Sequence, residues 1–129
     1  MAKKILIVDD DKVIVFIQKR TLQINGLLAD TLDFSNGKLA LDYLKSQNEE
    51  SCKYLVLLDI SMPVMDGWEF LEAIQEEDFS KQLSVVMLSS SIDKADLLKS
   101  SQYSQVLTYI EKPLDAAKCS KIIELCKAK

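Results

Sequence analysis

Asp9 and Asp10 follow the apolar run Ile5-Leu6-Ile7-Val8, and Asp59 follows Tyr54-Leu55-Val56-Leu57-Leu58. Ser89 follows Ser84-Val85-Val86-Met87-Leu88, and Lys112, after Glu111, follows Val106-Leu107-Thr108-Tyr109-Ile110. Carboxylates, a hydroxyl and an amine thus stand at the ends of apolar runs that read as strands. Carboxylates crowded together raise one another's pKa unless a cation joins them. A hard divalent cation such as Mg²⁺, which takes one or two carboxylates and keeps several waters, relieves that repulsion, and Lys112 supplies a second positive charge. One carboxylate is then free to attack phosphorus, while metal and lysine neutralise the equatorial oxygens and the Ser89 hydroxyl hydrogen-bonds the transferred group. Each piece alone has a plainer reading. Asp-Asp after a strand equally serves as a helix N-cap, and Ser89-Ser90-Ser91 and Lys112-Pro113 alone are ordinary loops. Their conjunction, in order and at strand ends, carries the chemistry.

The elements that must position these groups alternate. Ile5–Val8 reads as a buried strand, and residues 12–25 as a helix with Ile14, Ile17, Thr21 and Ile24 on its inner face, stopped by Asn25-Gly26. Leu27–Leu32 reads as a second, weaker strand. Ser35-Asn36-Gly37 is a turn or cap before a stripe of Leu39, Ala40, Tyr43 and Leu44. Tyr54–Leu58 is the most hydrophobic strand, and a Pro63/Gly67 loop opens a helix with Phe70, Leu71 and Ile74 inward. After the fourth strand comes a short helix near Lys94–Ser100. After the fifth, residues 115–128 place Cys119, Ile122, Ile123 and Cys126 on one face. Strands apolar on both faces, alternating with helices, predict a parallel sheet covered on both sides, with its functional groups at the carboxyl ends.

Composition narrows the function. The chain of 129 residues has room for one domain, is 48% hydrophobic and 28% charged, and contains no histidine. That excludes Ser-His and Cys-His catalysis, histidine-ligated zinc and autophosphorylation on histidine. Net charge is −4 with a single arginine, Arg20, which disfavours direct nucleic-acid binding. No run is long enough to cross a membrane, and no secretory signal is evident. Three cysteines without a CxxC pattern make no disulfide framework, so a reducing cytoplasm is expected and Cys52, Cys119 and Cys126 read as small hydrophobes. No GxxxxGK[ST] or GxGxxG occurs.

Ile5-Leu6-Ile7-Val8-Asp9-Asp10-Asp11, Leu57-Leu58-Asp59-Ile60-Ser61-Met62-Pro63-Val64-Met65-Asp66-Gly67, Val86-Met87-Leu88-Ser89 and Tyr109-Ile110-Glu111-Lys112-Pro113-Leu114 closely resemble the response-regulator receiver domains of two-component signalling, over essentially the whole chain. The resemblance implies a flavodoxin-like doubly wound (βα)5 fold with strand order 2-1-3-4-5, spanning residues 1–129 as one domain. It makes Asp59 the phosphoacceptor, Asp10 a direct metal ligand and Asp9 the holder of a metal-bound water. The Ser61 backbone carbonyl becomes a further ligand to Mg²⁺ or Mn²⁺, Lys112 the phosphate-binding lysine, and Ser89 the switch hydroxyl. Tyr109 takes the aromatic switch position, swinging inward as Ser89 moves, and the Lys112–Pro113 bond is expected to be cis. Ser61 and Ser91 fall at positions that tune phosphoryl lifetime. Asp66 is expected as a turn or helix-cap residue rather than a metal ligand, and Trp68 as a packing or partly exposed residue rather than a ligand platform.

By the same resemblance the partners are a histidine kinase or histidine phosphotransfer protein and a downstream target protein, and the chain is a monomer or a phosphorylation-dependent dimer. The target reads the face of the fourth helix, fifth strand and fifth helix, here Lys94, Leu97, Leu98, Tyr103, Val106, Tyr109 and Lys118. The chain is expected to be no conventional enzyme, catalysing only its own phosphorylation and dephosphorylation. Met1 reads as a natural start, and Lys129 leaves no room for an output domain, so either a stand-alone regulator or the receiver of a larger one is expected. Two other classes remain: a small phosphatase or phosphotransferase using Asp59, disfavoured by the lack of a cap insertion, and a phosphorylation-independent interaction module, disfavoured by the intact acid pocket.

Overall fold

The computed structural model describes residues 4–27, 29–91 and 93–128. Strands β1 (Lys4–Val8), β2 (Asp30–Phe34), β3 (Tyr54–Asp59), β4 (Leu83–Ser89) and β5 (Val106–Glu111) alternate with helices α1 (Lys12–Ile24), α2 (Gly37–Lys45), α3 (Gly67–Gln75), α4 (Lys94–Ser100) and α5 (Ala116–Ala128). A 3₁₀ turn, Asp78–Gln82, precedes β4. All pairings are parallel, in the order β2-β1-β3-β4-β5.

Two-residue alternation divides the core into two layers. Leu6 and Val8, Val56 and Leu58, and Val85 and Met87 pack with Ala40, Leu44, Phe70 and Ile74 of α2 and α3. Their neighbours Ile5, Ile7, Leu55, Leu57, Val86 and Leu88 pack with Val15 and Leu22 of α1 and Cys119 and Ile122 of α5. The central strand β3 is buried throughout. Parallel strands covered on both faces read as continuous apolar runs, which is why these strands stand out in the sequence.

Three expectations shift. The buried face of α1 is Val15, Gln18 and Leu22, while Ile17 and Ile24 are 48% and 71% exposed. Residues 13–17 are all apolar, so two stripes compete, and the true one is disguised by polar Gln18. The second strand begins at Asp30 rather than Leu27. Gly26 (φ 85°) ends α1 in a left-handed turn. Leu27 then donates its N–H to the Leu22 carbonyl (2.9 Å) and Gly26 its own to Gln23 (3.3 Å), which is a Schellman cap with Leu27 as its buried hydrophobe. Leu28 lies outside the described residues. On α2 the inner face is Ala40, Leu41 and Leu44, with Leu39 exposed.

Candidate functional site

Asp9 continues β1 in step with Ile5 and Ile7, and Asp59 ends β3 in step with Leu55 and Leu57. Both therefore turn toward the α1/α5 side. On β5 the pairing jumps from Val85↔Val106 to Val86↔Thr108, leaving Leu107 as a bulge. The bulge sets which side every later β5 residue faces. Ile110 joins the α1/α5 layer and Tyr109 the other, and Lys112, two beyond Ile110, comes to the carboxylates. Its amide donates to the Ser89 carbonyl (2.7 Å), and the Lys112–Pro113 bond is cis as expected.

The Lys112 ammonium bridges two carboxylates, at 2.9 Å from Asp9 Oδ2 and 3.1 Å from Asp59 Oδ1. The other oxygen of Asp9 accepts the Asp11 amide (2.9 Å). Asp11, not Asp9 or Asp10, caps α1: its Oδ1 accepts the amides of Val13 (3.0 Å) and Ile14 (3.2 Å). The capping role open to the acidic run thus falls on its third member. Asp10 is exposed beside the pair, and Asp9, Asp10 and Asp59 each bring an oxygen within 4.8 Å of the others. This all-oxygen, mostly anionic donor set suits a hard divalent cation. Burial pushes the pKa of Asp59 up, the Asp9 charge adds to it, and Lys112 only partly offsets both. Burial alone pulls Lys112 down, but its hydrogen bond to Asp9 and the Asp59 charge prevail and its pKa is raised.

These groups line an open cavity of about 350 Å³ that also takes in Ile14, Ile60, Ser61 and residues Ser89–Ser91. Ser61 and Ser91 stand exposed on the rim. The Ser89 hydroxyl donates to the Ser91 carbonyl (2.7 Å) and accepts the Ser91 amide (3.3 Å). Tyr109 lies on the α2/α3 side of the sheet, away from Asp9 and Asp59 but on the face of Ser89, buried, with its hydroxyl donating to Asp96 of α4 (3.3 Å) and the Ser89 hydroxyl in reach. Burial raises its pKa.

Gly67 packs directly against the backbone of Asp59 and Ile60. Its amide donates to the Ile60 carbonyl (2.9 Å), and a Cβ there would lie 2.7 Å from the Asp59 carbonyl oxygen. Asp66 caps α3 as expected, its Oδ1 accepting the Glu69 amide while Glu69 reaches back to the Asp66 amide (2.9 and 3.1 Å). Trp68 packs on Tyr103 and under the Lys99 ammonium, 4.6 Å from its ring.

Sequence reasoning missed Ile14 as a pocket wall, since it was assigned to the inner helix face, and Asp96 as the Tyr109 partner, for which the sequence holds no signal. Lys118, expected on a docking face, donates to the loop carbonyls of Glu111 and Pro113 (2.7 and 2.9 Å).

A doubly wound parallel sheet with an acid-and-lysine pocket at its carboxyl edge defines the class: a receiver-type signalling domain. The response regulator receiver domain family matches residues 5–124, and the chain belongs to it. Chemotaxis protein CheY-3 of Vibrio cholerae is 33% identical over 125 residues, covering 94% of this chain and 92% of that protein. Sporulation initiation phosphotransferase F of Bacillus subtilis is 31% identical over 115 residues, covering 89% and 86%. A two-component response regulator from Legionella pneumophila superposes with a TM-score of 0.81 at 26% identity, covering 98% of both chains. The chain is thus a receiver domain of two-component signalling, a phosphoacceptor switch rather than a conventional enzyme. None of its helices, among the described residues, is long and apolar enough to cross a membrane.

Proposed function

We propose that Asp59 takes a phosphoryl group from a phosphohistidine of a histidine kinase or histidine phosphotransfer protein. An Asp59 carboxylate oxygen attacks phosphorus, the P–N bond breaks, and the departing imidazole keeps the bonding pair and takes up a proton. The observation that carries this reading is the ammonium of Lys112 held between the Asp9 and Asp59 carboxylates with Asp10 in reach. Mg²⁺ or Mn²⁺, held by Asp9, Asp10, Asp59 and the Ser61 carbonyl, supplies neutralisation of the phosphoryl oxygens when bound. Lys112 contributes the second positive charge from its place beside Asp59.

The Ser89 hydroxyl leaves the Ser91 carbonyl for the phosphoryl group, and Tyr109, beneath α4, couples that movement to the face of α4, β5 and α5, where Leu97 and Leu98 are exposed. Phosphorylation thus shifts the population of an arrangement that a downstream target protein reads. Ser61 and Ser91, small side chains on the rim, tune phosphoryl lifetime. The donor docks on the N-terminal half of α1, where exposed Val13 and Phe16 adjoin the pocket wall at Ile14. Residues 1–129 form one such cytoplasmic unit, monomeric or dimerising on phosphorylation, which catalyses only its own phosphorylation and dephosphorylation.

The test is intact mass after incubation with acetyl phosphate, with and without Mg²⁺. A single adduct that needs both the metal and Asp59, and is lost in Asp59→Asn, is expected. No adduct on the folded protein, together with no response to beryllofluoride, overturns the reading.

A further inference from the structure

Lys118 is the third residue of α5, whose first turn is capped by Asp115: the Asp115 side chain accepts the Lys118 amide and its carbonyl accepts the Cys119 amide, each at 2.9 Å. A cation at this end of a helix opposes the helix dipole, and the nearest Asp115 carboxylate oxygen stands 4.0 Å away. The ammonium instead folds back over the helix start and donates to the carbonyls of Glu111 (2.7 Å) and Pro113 (2.9 Å). Those carbonyls flank Lys112. The Lys112 amide is held from the other side by the Ser89 carbonyl (2.7 Å). The segment that aims the Lys112 ammonium at Asp9 and Asp59 is therefore fastened at three points, two of them on one charged donor. Hydrogen bonds from a charged donor are among the stronger ones a protein makes, and Lys118 is only partly exposed.

We propose that Lys118 is a positioning residue for the phosphoryl-transfer pocket: by clamping the carbonyls on either side of Lys112, it holds that lysine's ammonium between Asp9 and Asp59. This rests on the phosphoacceptor reading above. It also gives Lys118 a different task from the docking cation suggested by its place on α5, because two of its three N–H groups are committed to the loop.

The test compares wild type, Lys118→Met and Lys118→Arg by the rate of adduct formation with acetyl phosphate and Mg²⁺, by the ¹⁵N-detected ammonium signal of Lys112, and by thermal unfolding. Loss of the clamp lets the Lys112 ammonium drift by a fraction of an ångström or more, and misplacement on that scale costs about tenfold in rate. Lys118→Met is expected to lose that factor and to shift or broaden the Lys112 signal while still unfolding cooperatively. Arginine has donors enough for both carbonyls, and is expected to restore most of the rate and the signal. A Lys118→Met protein that phosphorylates at the wild-type rate, or whose Lys112 signal is unmoved, overturns the proposal, as does failure of arginine to rescue. Absence of any adduct on wild type, together with no response to beryllofluoride, overturns the phosphoacceptor reading instead, and leaves the Lys112 signal to decide the positioning role.

Discussion

Replacing Gly67 by alanine tests how tightly the start of α3 is pressed against the end of β3 that carries Asp59. The added Cβ meets the Asp59 carbonyl oxygen at 2.7 Å, the Ile60 Cα at 3.1 Å and the Asp59 carbonyl carbon at 3.4 Å. All three are backbone atoms, so no side chain can rotate out of the way. Ordinary contact begins near 3.4 Å, so α3 and the end of β3 must part by about 0.7 Å, and the 2.9 Å bond from the Gly67 amide to Ile60 must lengthen. Overpacking of this kind costs about 1–3 kcal/mol. Alanine's better helix propensity returns about 0.5–1 kcal/mol. A net loss of about 1–2 kcal/mol lowers Tm by about 4–8 °C in a domain of this size. Because the displaced backbone carries Asp59, adduct formation with acetyl phosphate is expected to fall about tenfold as well. Gly26→Ala is the control: its φ of 85° makes a side chain costly, yet a Cβ there meets nothing within 4 Å. It is expected to lower Tm without slowing phosphorylation. Calorimetry and intact mass read both quantities, and a Gly67→Ala protein with wild-type Tm and rate would refute the close-approach argument.

Two further outcomes follow from charge and backbone. Asp59 has a folded-state pKa above its ordinary value, so the folded state holds that proton more tightly than the unfolded chain and loses stability as pH rises through the folded pKa; Asp59→Asn is expected to raise Tm at neutral pH and much less near about pH 4, and an equal gain at both would contradict the electrostatic origin. Val64 has φ 69° with the Met65 amide donating to the Pro63 carbonyl (2.7 Å), a strained γ-turn on a β-branched residue; Val64→Gly is expected to stabilise the fold by about 1 kcal/mol in urea unfolding.

The sheet was legible because parallel strands buried on both faces print as unbroken apolar runs, and its carboxyl-end groups were legible because each follows such a run. What the sequence concealed has local physical causes. On α1 five consecutive apolar residues, 13–17, satisfy two helical faces, and burial of Gln18 decides between them. Leu27 belongs to the cap of α1, and its apolarity borrowed residues from a strand that starts later. The acid cluster was found, but its division of labour was not: Asp11 takes the capping work, and that frees Asp9 for Lys112. Side-chain bonds that join one element to another, such as Tyr109 to Asp96, or to the loop before it, such as Lys118, leave no periodic trace.

Local conflict in the pocket is itself informative. Three carboxylates lie together with the Lys112 ammonium between two of them, so the cluster holds more negative than positive charge in a partly buried place. Such an arrangement lowers stability relative to an apolar edge, and the pKa of Asp59 is pushed up by burial first and by the Asp9 charge second. The fold supports it with rigid means: β3 buried end to end, a bulge at Leu107 that aims β5, and Gly67 admitting α3 to the Asp59 backbone. Sites where local preference is overridden while the surrounding framework is reinforced are where function is expected. The residual negative charge is also what a divalent cation would offset, making room for the negative charge that a phosphoryl group would then add. The same excess that destabilises the resting pocket is thus the source of its response, and variants that neutralise it are expected to gain stability as they lose the switch.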